Sequence, residues 1–216
     1  MSTATVHCVR HGQVDNPDGV IYGRLPGFGL TELGHQMAER LGEYFADHNL
    51  VYLVSSPLLR AQETIAPIAA KFPELEVVLD ERVIETANKF QGIDLGWHYT
   101  NLLKPSNLWK LHNPLQPSWG EPYPQIVTRM RDAIKDAARH ANDAEAVIVS
   151  HELPIFITRR AVEHKPFMHD PRKRNTRLAS VTSFHYVNGS LVNITYNEPA
   201  GDLVPHSNDS GYRPGQ

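Results

Sequence analysis

Three short segments carry side chains suited to chemistry on an anionic group. Arg10-His11-Gly12 follows an apolar run over residues 4–9, Ser55-Ser56-Pro57 leads to Arg60, and Ser150-His151 closes a run over 146–149. A guanidinium is planar, permanently charged, and grips phosphate oxygens through paired N–H donors. A neutral imidazole can attack phosphorus, and an unperturbed pKa of about 6.5 keeps it available near neutral pH. Two arginines and two histidines gathered in one place would make a compact cationic pocket with its own nucleophile. Each segment alone has a plainer explanation. Arg-His-Gly is a common tripeptide, an arginine on a first helical turn is usually a surface charge, and Ser-His after a strand can form a cap. Their meaning depends on the elements that carry them.

Those elements alternate. Residues 4–9 are rich in β-formers and read as a strand that runs directly into Arg10. Residues 13–30 hold many Gly, Pro, Asn and Asp residues and read as a loop. Thr31 is placed as an N-cap, and Met37, Leu41, Tyr44 and Phe45 mark one face of a helix over about 31–47. Residues 51–55 form a second strand, and Ser56-Pro57 opens a helix with Leu59, Ile65, Ile68 and Ala69 at helical spacing. A third strand is short, over 77–79. A further helix spans 123–141, the fourth strand covers 146–150, and a helix follows to about 163. Residues 181–186 and 191–196 flank Asn188-Gly189, a strong hairpin signal. The alternation predicts an α/β fold, a three-layer sandwich with a mostly parallel central sheet and an antiparallel edge strand. Residues 86–124, with Trp97, Trp109 and Trp119, read as a small cap-like insertion. The domain is expected over 1–197, with a flexible tail over 198–216. In such sheets ligands bind beyond the carboxyl ends of the strands, where all three segments fall.

Bulk properties narrow the function. The chain has 216 residues, 41% of them apolar, and a formal net charge of −3. No overall basic field exists to draw in nucleic acid, so an acidic small molecule needs a local basic pocket. The single cysteine, Cys8, excludes an internal disulfide and suits a reducing cytoplasm. Neither a secretory signal nor a membrane-spanning run is expected. A homodimer is compatible with the sequence. His164, His169, Asp170 and residues 172–174 read as a solvated basic loop rather than a metal or polyanion site. The glycine-rich stretch 19–29 lacks the Lys-Ser/Thr ending of an ATP loop.

The chain resembles the histidine phosphatase superfamily, in its phosphoglycerate-mutase-like branch. The resembling segments, in family order, are Val6-His7-Cys8-Val9-Arg10-His11-Gly12-Gln13, Leu30-Thr31-Glu32-Leu33-Gly34, Ser55-Ser56-Pro57-Leu58-Leu59-Arg60-Ala61-Gln62-Glu63-Thr64 and Val147-Ile148-Val149-Ser150-His151. The resemblance implies that His11 becomes a phosphohistidine, while Arg10, Arg60 and His151 bind the transferring group. It implies an acid after the third strand, for which Glu85 fits best among Asp80, Glu81 and Glu85. It also points to Asn16 and Gln13 as phosphate-binding residues and to Gly23 as a pocket residue. Glu121 is expected to be structural, ordering a pocket residue. No metal ion and no other cofactor is expected, because in-line positioning and fixed Arg and His donors suffice for phosphoryl transfer. The leading expectation is hydrolysis of a small phosphorylated metabolite. The rivals are a phosphoglycerate mutase and a non-catalytic phosphate-binding regulatory module. Specificity is expected in residues 13–29 and 86–124.

Overall fold

The computed structural model describes residues 1–93, 120–170 and 173–204. Six strands form one sheet in the order β3-β2-β4-β1-β5-β6. They are β1 (Thr3–Arg10), β2 (Leu50–Ser55), β3 (Val77–Leu79), β4 (Ala144–Ser150), β5 (Val181–Val187) and β6 (Ser190–Asn197). β1 pairs parallel to β4, and β2 pairs parallel to both β4 and β3. β5 runs against β1 and against β6, so the expected antiparallel edge is the β5–β6 hairpin. Asn188 and Gly189 form its two-residue turn with φ of 49° and 75°, the positive pair that a tight hairpin of matching twist requires.

Alternation along the strands builds two apolar layers. Val9, Leu53, Val147, Val149 and Val181 face α1 (Glu32–Phe45) and α2 (Leu59–Lys71), where Met37, Leu41, Phe45, Ile65 and Ile68 close the layer. Val6, Cys8, Val54, Ile148 and Phe184 face the opposite way. They pack with Ile126, Met130, Ile134 and Ile155 from α3 (Tyr123–His140) and α4 (Glu152–Val162). This is the expected three-layer α/β sandwich.

Local chemistry explains several boundaries. Thr31 Oγ1 accepts the Gly34 backbone N–H at 2.9 Å and caps α1, as its position predicts. The second helix starts later than expected. Leu58 is extended, with φ −75° and ψ 136°, so Pro57 lies ahead of α2 and Arg60 sits on its first turn. The chain also stays packed beyond residue 197. Ala200 and Val204 are buried in the α1–α2 layer, so residues 198–204 belong to the folded body. Residues 205–216 of the expected tail lie outside the described residues.

Most of the cap-like insertion, including Trp97, Trp109 and Trp119, also lies outside the described residues. Its base is defined. Asn88 bridges Gly120, and the Glu121 N–H donates to the Ala87 carbonyl at 3.2 Å. Among the described residues, no helix is long and apolar enough to cross a membrane.

Candidate active site

β1, β2 and β4 lie side by side and parallel, so their carboxyl ends deliver Arg10-His11, Ser55-Ser56 and Ser150-His151 to one edge. The register pairs Arg10 with Ser150, which sets His11 beside His151. Their ring centroids are 5.1 Å apart. The His11 N–H donates to the Ser150 carbonyl at 3.2 Å, and the Ala179 N–H donates to the His11 carbonyl at 3.3 Å. The backbone at His11 is thus held on both sides.

The tautomer of His11 follows from one contact. Its Nδ1 lies 2.8 Å from the Gly12 carbonyl oxygen, which can only accept, so Nδ1 carries the proton. Nε2 then keeps its lone pair. His11 is only 2% exposed. Burial, reinforced by the charges of Arg60 and Arg10, holds its pKa well below 6.5. The imidazole is therefore neutral and nucleophilic near neutral pH. The Gly12 N–H donates to Thr64 Oγ1 at 3.1 Å, and that hydroxyl donates to the Arg60 carbonyl at 2.6 Å. The loop after His11 and the first turn of α2 are tied through this threonine.

Arg60 is fully buried rather than a surface charge. Its Nη2 donates to the Gly23 carbonyl at 2.7 Å, and its guanidinium lies 4.7 Å from the centroid of the Tyr22 ring. Gly23 thus takes part through its backbone. Arg10 Nη1 donates to the Thr176 carbonyl at 2.7 Å, and its Nη2 lies 3.5 Å from Glu152 Oε2. The Nε atoms of both arginines are buried and have no hydrogen-bond partner among the described residues. Buried donors of this kind are costly unless something accepts from them. His151 is fully buried, with Nε2 2.8 Å from Ser56 Oγ, while its Nδ1 has no hydrogen-bond partner among the described residues. Burial first, then Arg60 and His11, push the His151 pKa well below 6.5.

Glu85 follows the 3₁₀ turn Glu81–Val83 that leaves β3. Its Oε1 accepts the Thr86 N–H at 2.7 Å. Burial raises its pKa, and the Thr86 N–H and the Arg60 charge only partly oppose this. A raised carboxyl pKa is what proton donation near neutral pH requires. The backbone that carries Glu85 is held by charged groups. Arg129 Nη1 donates to the carbonyls of Arg82 and Ile84, each at 2.7 Å. Arg24 Nε donates to the Glu85 carbonyl at 2.6 Å. Glu121 grips Arg129 through two hydrogen bonds of 2.8 and 3.0 Å and reaches Arg24 at 3.1 Å. Glu121 therefore orders the segment around Glu85, in keeping with the structural role expected of it.

The polar atoms of Asn16 and Gln13 meet local partners. The Asn16 amide closes its own loop, donating to the Val20 carbonyl at 2.9 Å and accepting the Val20 N–H at 3.1 Å. Gln13 Oε1 accepts the Thr31 hydroxyl at 2.8 Å and braces the start of α1. The basic stretch after α4 is not simply a solvated loop. Arg174 turns inward, with Nη1 3.6 Å from Glu152 Oε1 and Nε donating to His169 Nε2 at 2.9 Å. Long-range folding explains this: Glu152 lies between Arg10 and Arg174 and attracts both. Sequence reasoning missed Glu152, Arg24, Arg129, Tyr22 and Ser56. Glu152 directly follows His151, and Ser56 stands within the Ser-Ser-Pro segment, so both had a local signal. Arg24 and Arg129 had none.

The model of the histidine phosphatase superfamily (branch 1) matches residues 6–199. "Uncharacterized protein Rv0525" of Mycobacterium tuberculosis is 46% identical over 195 residues, spanning 90% of this chain and 96% of that protein. Among solved structures, Bacillus stearothermophilus YhfR superposes with a TM-score of 0.74 at 22% identity, over 88% of this chain and 94% of its own. The mycobacterial glucosyl-3-phosphoglycerate phosphatase Rv2419c superposes with a TM-score of 0.68 at 22% identity, over 91% of this chain and 98% of its own.

Proposed function

Given that this chain belongs to the histidine phosphatase superfamily (branch 1), we propose that it hydrolyses a small phosphate monoester through a phosphohistidine on His11. The observation that carries this is the state of His11, a buried neutral imidazole with its proton on Nδ1, committed to Gly12, so that Nε2 holds the lone pair. Arg10, Arg60 and His151 surround the transferring group. Nε of each arginine and Nδ1 of His151, without a hydrogen-bond partner among the described residues, are donor positions for its oxygens.

The reaction has two displacements. In the first, Nε2 of His11 bonds to phosphorus as the bond to the ester oxygen breaks, and Glu85 gives its proton to the departing oxygen. Charge building on the phosphoryl oxygens is met by fixed arginine and imidazole donors. In the second, Glu85, now a carboxylate, takes a proton from water, and the water oxygen displaces His11 from phosphorus. The products are an alcohol and inorganic phosphate, and the enzyme returns to its starting state. No step draws on a metal ion.

The alcohol part of the substrate would meet the loop 13–29 and the base of the 86–124 insertion. A cavity of about 370 Å³ opens there, lined by Arg24, Asn88, Lys89 and Gln125 among others.

Rapid quenching with a ³²P-labelled monoester tests the proposal. Acid-labile, base-stable label on the wild type, absent from His11→Ala, is the expected result. Full turnover by His11→Ala would overturn it. Isomerisation of 3-phosphoglycerate without phosphate release would indicate the mutase reading instead.

A further inference from the structure

We propose that His7, His48 and Glu145 form a second site, one that binds a divalent transition-metal ion, zinc above all. It lies away from the phosphoryl pocket. His7 precedes His11 by four strand residues, about 13 Å at ~3.3 Å per residue.

Three separate elements build it. His7 points from the middle of β1 to the α1 side of the sheet, where its ring centroid is 5.2 Å from that of Phe45. Glu145 comes from the start of β4 and shares that side. His48 follows α1 on a short loop, with its N–H donating to the Phe45 carbonyl at 2.9 Å. The Asn49 carbonyl accepts the Glu145 N–H at 3.0 Å, which fixes the loop against β4. Among the described residues, this is the one grouping of three His, Cys, Asp or Glu side chains close enough to share an ion.

The atoms are arranged as ligands. Glu145 Oε2 is 3.4 Å from His7 Nε2 and 2.6 Å from His48 Nδ1. All three ligand atoms lie within 4.8 Å of one another. A tetrahedral zinc with ligands at about 2.0–2.1 Å has ligand–ligand edges near 3.4 Å. His7 and Glu145 already match that edge. His48 sits on a partly exposed loop and has to move by on the order of 1 Å to complete the set. The second nitrogen of His7 is also occupied: Nδ1 lies 2.8 Å from Ser183 Oγ. A ligating histidine typically has its other N–H oriented in this way, which fixes the tautomer and aims Nε2 at the ion.

Electrostatics favour a cation. His7 is buried, whereas the side chains of His48 and Glu145 are 26% and 28% exposed, so water can supply a fourth ligand. One carboxylate oxygen faces both imidazoles, and two imidazoles with one carboxylate make a donor set for a divalent transition-metal ion. Zinc takes the lone pair of His48 Nδ1 in place of the contact to Glu145, and the single proton of the neutral ring then sits on Nε2. The two-histidine, one-carboxylate set suits zinc and excludes calcium or magnesium, which prefer all-oxygen shells. An ion here would staple the end of α1 to the sheet.

The test uses the full chain without an affinity tag, stripped by chelator, and titrated with zinc sulfate by calorimetry at pH 7.5. One equivalent is expected to bind, and Tm to rise by about 5–10 °C at a hundredfold excess over Kd. Substituted cobalt(II) should show the intense visible bands of four-coordination. His48→Ala and Glu145→Gln, both at partly exposed positions, should lose the binding and the Tm shift. His11→Ala should keep them, which separates this site from the histidine pair of the phosphoryl pocket. Binding unchanged in His48→Ala and Glu145→Gln, or lost only in His11→Ala, would overturn the proposal. So would the absence of zinc binding by the folded wild type.

Discussion

Nδ1 of His11 lies 2.8 Å from the carbonyl oxygen of the next residue, Gly12. This one contact decides which ring nitrogen holds the proton and therefore which can attack. It depends on the loop turning back immediately after β1. The turn is possible because Gly12 lies against Gly34 of α1: a Cβ added at Gly12 would stand 2.6 Å from the Gly34 carbonyl oxygen.

Gly12→Ala should therefore cost stability and activity together. Relieving an overlap with backbone of this size typically costs about 1–3 kcal/mol. Urea denaturation of the variant should show a lower midpoint at an unchanged m-value, with kcat falling because the His11 loop is displaced. An unaltered midpoint would mean that α1 yields freely.

The pH–rate profile should carry the signature of two shifted groups. His11 is held well below 6.5, so kcat/KM should show no inflection at the ordinary imidazole pKa. Glu85 must be protonated to serve as the acid, and its pKa is raised above 4.5, so activity should fall on the alkaline side of that raised value. In Glu85→Gln this alkaline limb should disappear along with most of the activity on alkyl phosphates. Persistence of the limb would assign it to another group.

Stability should depend on the same histidines. His11 and His151 both have folded-state pKa values below 6.5, so unfolding takes up protons as the pH drops. Their contribution is complete above about 6.5 and is lost as pH falls toward the folded values, at roughly 1.4 kcal/mol per pH unit for each histidine. Unfolding free energies measured between pH 7 and pH 5 should fall less steeply in His11→Gln by about one histidine's share. An identical slope would show that His11 does not titrate on unfolding.

Arg129 should matter to the acid and not to the nucleophile. It holds the carbonyls of Arg82 and Ile84 and is itself held by Glu121. Removing it in Arg129→Ala frees the segment that presents Glu85. Turnover of alkyl phosphates, which need a proton on the leaving oxygen, should drop by roughly 10²-fold. Turnover of p-nitrophenyl phosphate, whose leaving group departs as an anion, should drop far less. Equal losses for both substrates would indicate general loosening of the pocket.

Much of this site was legible in the chain itself. Apolar runs ending in Arg10-His11, Ser55-Ser56 and Ser150-His151 mark strands whose ends carry polar chemistry, because a strand must bury its own length before it can expose a reactive tip. The hairpin at Asn188-Gly189 and the Thr31 cap are equally local, since turns and caps are set by a few adjacent residues. The strand before Arg10 and the loop after it together marked where His11 leaves the sheet.

Other features could only be settled by tertiary packing. Asn16 and Gln13 matched a phosphate-binding pattern by position, and only the fold shows that the Asn16 amide meets Val20 and Gln13 Oε1 meets Thr31, because which neighbour a side chain meets depends on how the loop folds back. Arg174 reads as a solvated charge until the chain after α4 brings it against Glu152. Arg24, Glu121 and Arg129 are far apart in sequence and become one brace for Glu85 only when the base of the insertion closes on α3. His7, His48 and Glu145 show the same limit, since no spacing rule links a strand, a loop and a second strand. The sequence determined which strand ends bear the reactive groups, because hydrophobic alternation and turn chemistry are local. Tertiary structure alone decided their protonation and their bracing, because burial and long-range ion pairs exist only after the layers close.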